Sequence, residues 1–123
     1  MKATKERAIQ SLLLDHPEIL FAYLFGSQVG GDTTPMSDTD IAIYTCEPLS
    51  FDQRVQLLAS LMQCLQSNAV DLVDLRQAPP VIAHEVVTSG RLLFSRDEDA
   101  QNRFEENAHL RYVEFYLPTL LPD

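Results

Sequence analysis

Residues 25–43 read FGSQVGGDTTPMSDTDIAI. An apolar run ends at Phe25 and breaks at Gly26-Ser27. Ten residues later Asp38-Thr39-Asp40 leads into a second apolar run. Side chains on a strand alternate between faces, so Asp38 and Asp40 project to one side. Thr39, Ile41 and Ile43 take the other, where a core belongs. Two carboxylates on one face repel each other unless a cation lies between them, and magnesium is typically held by one or two carboxylates plus substrate phosphates. Gly26 lets the backbone approach a bulky group closely. Ser27 offers a hydroxyl, and the turn offers backbone N–H groups suited to phosphate oxygens. A lone Gly-Ser is an ordinary turn, and a lone Asp-x-Asp is usually a solvated strand end. Their combination at this spacing, with apolar flanks on both sides, points to phosphate at one end and a phosphate-gripping metal at the other.

The rest of the chain supplies a small α/β frame. Residues 2–15 predict a helix with a stripe of Ile9, Leu12 and Leu13, ended by His16-Pro17. Ile19 to Phe25 is a continuous apolar run, suited to a strand buried on both faces. Gly30, Gly31 and Pro35 mark a loop, and Asp38 to Tyr44 a second strand. Ser50 and Gln53 make a capping-box pattern. In the helix that follows, Phe51, Val55, Leu58, Met62 and Leu65 fall on one face and are expected in the core. Asn68 is expected to break that helix. Residues 69–75, AVDLVDL, read as a short strand. Pro79-Pro80 opens another helix, which Gly90 ends. Arg91 to Ser95 is a last strand. Asp97 to Leu117 is a last helix, with Phe104, Ala108, Tyr112 and Phe115 on one side. The order predicts a small mixed sheet with helices packed against it, in one domain spanning residues 1–123.

Composition narrows the function classes. The chain has 123 residues, 18 acidic and 9 basic, for a formal charge of −9, and is 46% hydrophobic. That apolar share suffices for a packed core. The charge opposes direct binding to duplex nucleic acid and is compatible with a basic protein partner. Cys46 and Cys64 lack metal-ligand spacing and are expected to pack in the core. The amino terminus does not resemble a signal peptide, and no apolar run approaches the ~20 residues of a membrane span. These features predict a soluble protein of a reducing cytoplasm. His16, His84 and His109 are scattered in sequence and are read as surface or capping histidines.

The pattern apolar-Gly-Ser-x10-Asp-x-Asp-apolar resembles the signature of the DNA polymerase β-like nucleotidyltransferase superfamily. The length and accompanying segments look most like its minimal members, and within them the antitoxins paired with HEPN-type (HepT) toxins. The resemblance covers nearly the whole chain. It implies the nucleotidyltransferase fold and transfer of AMP from ATP, with release of pyrophosphate. The implied acceptor is a tyrosine hydroxyl of a HepT-like ribonuclease toxin, which the modification silences. It also implies that Ser27, with the Gly26 turn, holds the terminal phosphates, and that Asp38 and Asp40 bind two magnesium ions.

Nucleotidyl transfer usually needs a third carboxylate. The third strand offers Asp71 and Asp74, which are three residues apart and so point to opposite faces. Asp71, early in the strand between Val70 and Leu72, matches the superfamily's third acid and is taken as the catalytic one. Asp74 is read as solvated or paired with Arg76. Two other functions remain compatible with the sequence: an antitoxin that masks its toxin without catalysis, and a nucleotidyltransferase acting on a small antibiotic. Arg103-x5-His109 superficially resembles a HEPN ribonuclease motif, but six residues along a helix put the two side chains on different faces. The apolar surface of Tyr112, Phe115, Tyr116, Leu117, Leu120 and Leu121 is an open candidate for partner contact.

Overall fold

Seven apolar residues in a row, Ile19–Phe25, form the inner strand β1, buried along nearly its whole length. A strand of this kind needs neighbours on both edges and cover on both faces. The computed structural model, which describes residues 2–26 and 39–116, provides all four. Strand β2 (Thr39–Thr45) and strand β4 (Arg91–Ser95) flank β1 antiparallel, and β3 (Val70–Asp74) lies parallel to β2 at the sheet's edge. The order is β3-β2-β1-β4, a four-stranded mixed sheet. The parallel β2/β3 pair requires a crossover, and helix α2 (Phe51–Leu65) makes it.

Helices cover both faces. On one, Ile9 and Leu13 of α1 (Lys2–Leu14) and Leu57 and Leu61 of α2 pack on Ala22, Leu24, Ile41, Ile43 and Leu72. On the other, Ala83 and Val86 of α3 (Pro80–Ser89) and Phe104 and Ala108 of α4 (Glu98–Tyr116) pack on Phe21, Tyr23, Phe25 and Ala42. At ~25 cal/mol per Å² of apolar surface removed from water, these two layers dominate the stabilisation. The Tyr23 hydroxyl donates a 2.6 Å hydrogen bond to Glu105 Oε2, tying α4 to the sheet's central strand. Burial, and then the hydrogen bond and charge of Glu105, push the Tyr23 phenol far above its ordinary range. No described helix is long and apolar enough to cross a membrane.

Three arginines pin the strand ends. Arg96 donates from Nη2 to Leu14 O and from Nε to Ile19 O, satisfying a carbonyl that the last turn of α1 leaves open. Arg76 donates to Thr45 O, at the last residue of β2, and to Cys46 O just beyond it. Arg54 of α2 donates to Leu72 O on β3.

Several expectations need correction. Ser50 and Gln53 form the capping box as read, and Leu58, Met62 and Leu65 of the apolar stripe assigned to the α2 core do pack against it, but its first two members do not. Phe51 is 78% and Val55 46% exposed, and the buried residues are Leu57 and Leu61. Arg54 takes the inward position of the first turn, three residues before Leu57, which rotates Phe51 and Val55 toward solvent. The helix ends before Asn68: Gln66 adopts φ 51°, a left-handed cap whose N–H reaches Gln63 O and Met62 O. Cys46 and Cys64 are exposed, one just past the last residue of β2 and the other in the last turn of α2. Phe115 is exposed, because α4 is buried only through Phe104 and Ala108, more than a turn earlier. His84 and His109 are not scattered in space. The α3/α4 packing puts their rings 5.3 Å apart, with Tyr112 stacked on His84. Leu117, Leu120 and Leu121 lie outside the described residues.

Candidate active site

The site forms where β1 ends and β2 and β3 begin. Phe25 pairs with Asp40 across the antiparallel ladder, and Asp40 pairs with Asp71 across the parallel one. Residues that neighbour each other in register project to the same face, here the one that α3 and α4 cover farther along. Asp40 and Asp71 therefore stand side by side at one end of the sheet. Thr39 N donates to Ala69 O at 2.8 Å, which fixes that register at the start of both strands.

Gly26 closes the third side. Its φ is +85°, a backbone conformation that favours glycine. A methyl group there would overlap Asp40 Oδ2 and lie 3.1 Å from its Cγ. The sequence suggested that Gly26 makes room for a bulky group; the structure shows the Asp40 carboxylate in that room. Position 26 is thus restricted both by its dihedral angle and by its neighbour.

Asp74 takes the alternate register position, opposite Ile43 rather than Asp40, as its spacing requires; it too borders the cleft at this end of the sheet, but it is not solvated. It is 6% exposed, and its Oδ1 accepts the Arg76 backbone N–H at 3.0 Å. The Arg76 side chain turns away to Thr45 O and Cys46 O. Asp74 therefore organises the turn after β3, while Asp71 is exposed beside Asp40. Ser27, Asp38 and the loop with Gly30, Gly31 and Pro35 lie outside the described residues.

Phe25, Gly26, Asp40 and Asp71 open onto a cleft of about 660 Å³, within the range of nucleotide-sized ligand sites. Asp74, Gln77, Pro79, Ile82 and Glu85 also line it, and Arg54 reaches it from α2. None of Arg54, Gln77 and Glu85 was singled out from the sequence. For Arg54 a signal existed: it precedes Leu57 by three and Leu61 by seven residues, so a charged group sits on the helix's inward phase. Gln77 and Glu85 belong to other elements, and no local pattern links them to Asp40.

Among the described residues no group of three or more His, Cys, Asp and Glu is placed to hold a metal. Asp40 and Asp71 supply two hard oxygen donors facing one cleft, and Asp38 precedes the described part of β2 by one residue. This donor set suits magnesium, which prefers a few carboxylates and completes its shell with phosphate oxygens and water.

Residues 7–99 match the polymerase β nucleotidyltransferase family. A protein adenylyltransferase MntA of Shewanella oneidensis is 39% identical over 100 residues, 80% of this chain and 71% of the relative. The chain belongs to the polymerase β nucleotidyltransferase family, among its MntA-type adenylyltransferases. Solved MntA-type structures share the fold. One is a tri-AMPylated Shewanella oneidensis HEPN toxin in complex with its MNT antitoxin. It matches with a TM-score of 0.80 and 32% identity, covering 96% of this chain and 92% of that one. Another is a toxin–antitoxin complex with AMP-PNP, with a TM-score of 0.74 and 35% identity over 93% and 88% of the two chains. The family assignment makes the mixed sheet with its helices a nucleotidyltransferase fold, and the chain a nucleotidyltransferase.

Proposed function

We propose that this protein is an antitoxin that transfers AMP from ATP to a tyrosine hydroxyl of a cognate HEPN-type toxin and so silences it. The observation that carries this reading is the in-register pair Asp40–Asp71 with Gly26 closed against Asp40. Supporting it are the curated relative, itself a protein adenylyltransferase, and a solved relative in complex with an AMPylated HEPN toxin.

Asp38, Asp40 and Asp71 would hold magnesium, as two ions if all three acids converge. The metal would neutralise the triphosphate and leave the α-phosphorus open to attack. The rest is done by the chain. Ser27 and the Gly26 turn would bind the terminal phosphates through a hydroxyl and backbone N–H groups. Asp71 would accept the proton of the tyrosine hydroxyl. The phenolic oxygen then forms its bond to the α-phosphorus as the bond to the β-phosphate oxygen breaks, and pyrophosphate departs. Catalysis of this kind is mainly positioning and electrostatic stabilisation. Arg54, which lines the cleft and is anchored on Leu72 O, would add a fixed positive charge there.

The test is the intact mass of a HEPN toxin after incubation with this protein, ATP and magnesium. One or more AMP residues should appear on the toxin, should vanish with EDTA, and should vanish with Asp71→Asn. An unmodified toxin that is nonetheless inhibited in the complex would replace transfer with masking.

A further inference from the structure

A second cleft, of about 350 Å³, lies on the same side of the sheet toward the other end of β2. Its wall includes Tyr44, four residues beyond Asp40 and so about 13 Å along the strand. The chain carries twice as many acidic as basic residues. Even so, Arg76, Arg103 and Arg111 line this cleft together with Asn107, and no described aspartate or glutamate does.

The arrangement differs from a scatter of surface arginines in two ways. First, Arg103, Asn107 and Arg111 recur every four residues on α4, which aligns them on one helix face over about 12 Å. Second, their donors are available. Arg54, Arg76 and Arg96 spend N–H groups on backbone carbonyls, and Arg91 pairs with Glu6. Among the described residues the side chains of Arg103, Asn107 and Arg111 have no hydrogen bond or ion pair, although Asp99, Glu106 and Glu114 are on the same helix. The floor is rigid: Tyr44 stacks on Phe21 with centroids 4.8 Å apart, leans on Phe104, and carries the Arg76 guanidinium 4.5 Å above its ring.

We propose that this cleft is an anion site for a small molecule carrying phosphates in series, held by Arg103, Asn107 and Arg111, with the carbonyl-anchored Arg76 adding positive charge. Guanidinium forks match phosphate oxygens, and a row of two arginines and an amide suits an extended anion better than a single orthophosphate. A concave site this small favours a compact ligand over a protein surface. The site is separate from the acidic cleft and needs no bridging metal. It does not rest on the transfer reaction proposed above.

The probe is inorganic tripolyphosphate, titrated without divalent cations into the full-length protein and followed by NMR at the Asn107 side-chain amide and the arginine Nε–H groups. Saturable shifts there are expected, with weaker binding of orthophosphate. Arg103→Gln and Arg111→Gln should each weaken tripolyphosphate about tenfold or more, matching the loss of one charge-assisted hydrogen bond. Asp71→Asn should leave that affinity unchanged. Unchanged melting temperatures would show that the glutamine variants fold. The proposal is overturned if millimolar tripolyphosphate leaves Asn107 unshifted, or if the arginine variants bind it as wild type does. It is equally overturned if those variants lose only their affinity for an acidic protein partner, which would make the cleft part of a docking surface.

Discussion

The two clefts share one sheet face and differ in how they can treat a phosphate. At the start of β2, Asp40 and Asp71 present negative charge and can engage phosphate only through a cation. At its far end, Arg76, Arg103 and Arg111 present positive charge and can engage phosphate directly. The difference follows from which elements reach each end. Strand ends carry the acids, placed by register to within one residue. The cations come from the turn after β3 and from α4, placed by helix phase and by the packing of Phe104 on Phe21 and Tyr44. A strand register can aim charges at a reacting centre; a helix face can offer a row of them to an extended ligand.

The largest effect should come from breaking the acidic cleft. Asp71→Asn, or Asp40→Asn, is expected to lower transfer by on the order of 10²–10³-fold in single-turnover assays. Folding should be unharmed, because neutralising one of two adjacent carboxylates relieves repulsion. Asp74→Asn should leave the rate intact; a loss there equal to that of Asp71→Asn would reverse the assignment of the third acid.

Gly26→Ala tests the same cleft from its backbone side. The strained φ and the overlap with Asp40 should cost about 1–3 kcal/mol in urea unfolding. Transfer should fall with it, since the carboxylate must move. A variant as stable and as active as wild type would show that the Asp40 side chain has room to spare.

Tyr23→Phe addresses the attachment of α4, and with it the basic cleft. Removing a hydrogen bond to a carboxylate should cost about 1.5–3 kcal/mol. The pH dependence has a definite sign. The folded phenol is raised above the unfolded value of about 10. Its contribution is therefore complete below about pH 10 and is lost as the pH climbs above that, where only the unfolded chain ionises. Urea melts on either side of that pH should show a steeper alkaline loss for wild type than for Tyr23→Phe. Transfer at neutral pH should be nearly unchanged.

The smallest effect is expected from Ser50→Ala. It removes the capping box that starts α2, the helix that carries Arg54 to the acidic cleft. Thermal melts should report a loss of about 1 kcal/mol.

Much of the frame was legible because its signals are local. The apolar run of β1, the capping box of α2, and the Pro79-Pro80 and Gly90 punctuation of α3 each act within a few residues, and each stands where it was read. The α2 stripe held only in its last three members, for the opposite reason. Leu58, Met62 and Leu65 pack against the core while Phe51 and Val55 are exposed, and in that first turn it is Arg54 that reaches the sheet, at Leu72 O, eighteen residues away. The burial of Asp74 was missed although its contact with the Arg76 N–H is only two residues away, because burial depends on what the tertiary packing lays over the turn.

By itself the sequence determined the chemistry. An Asp-x-Asp entering a strand, ten residues after Gly-Ser, carries through the two-residue period of a strand the expectation that both acids aim one way, and of the two Asp40 lies among the described residues. The same period sends Asp71 and Asp74 to opposite faces. Tertiary structure decided that Asp71 is the partner of Asp40, because only the parallel pairing of β2 with β3 sets their register. It also decided what Gly26 makes room for, and that Arg76 shares a cleft beside Tyr44 with Arg103 and Arg111 of α4. Contacts between residues far apart in the chain arise from packing, and no local period encodes them.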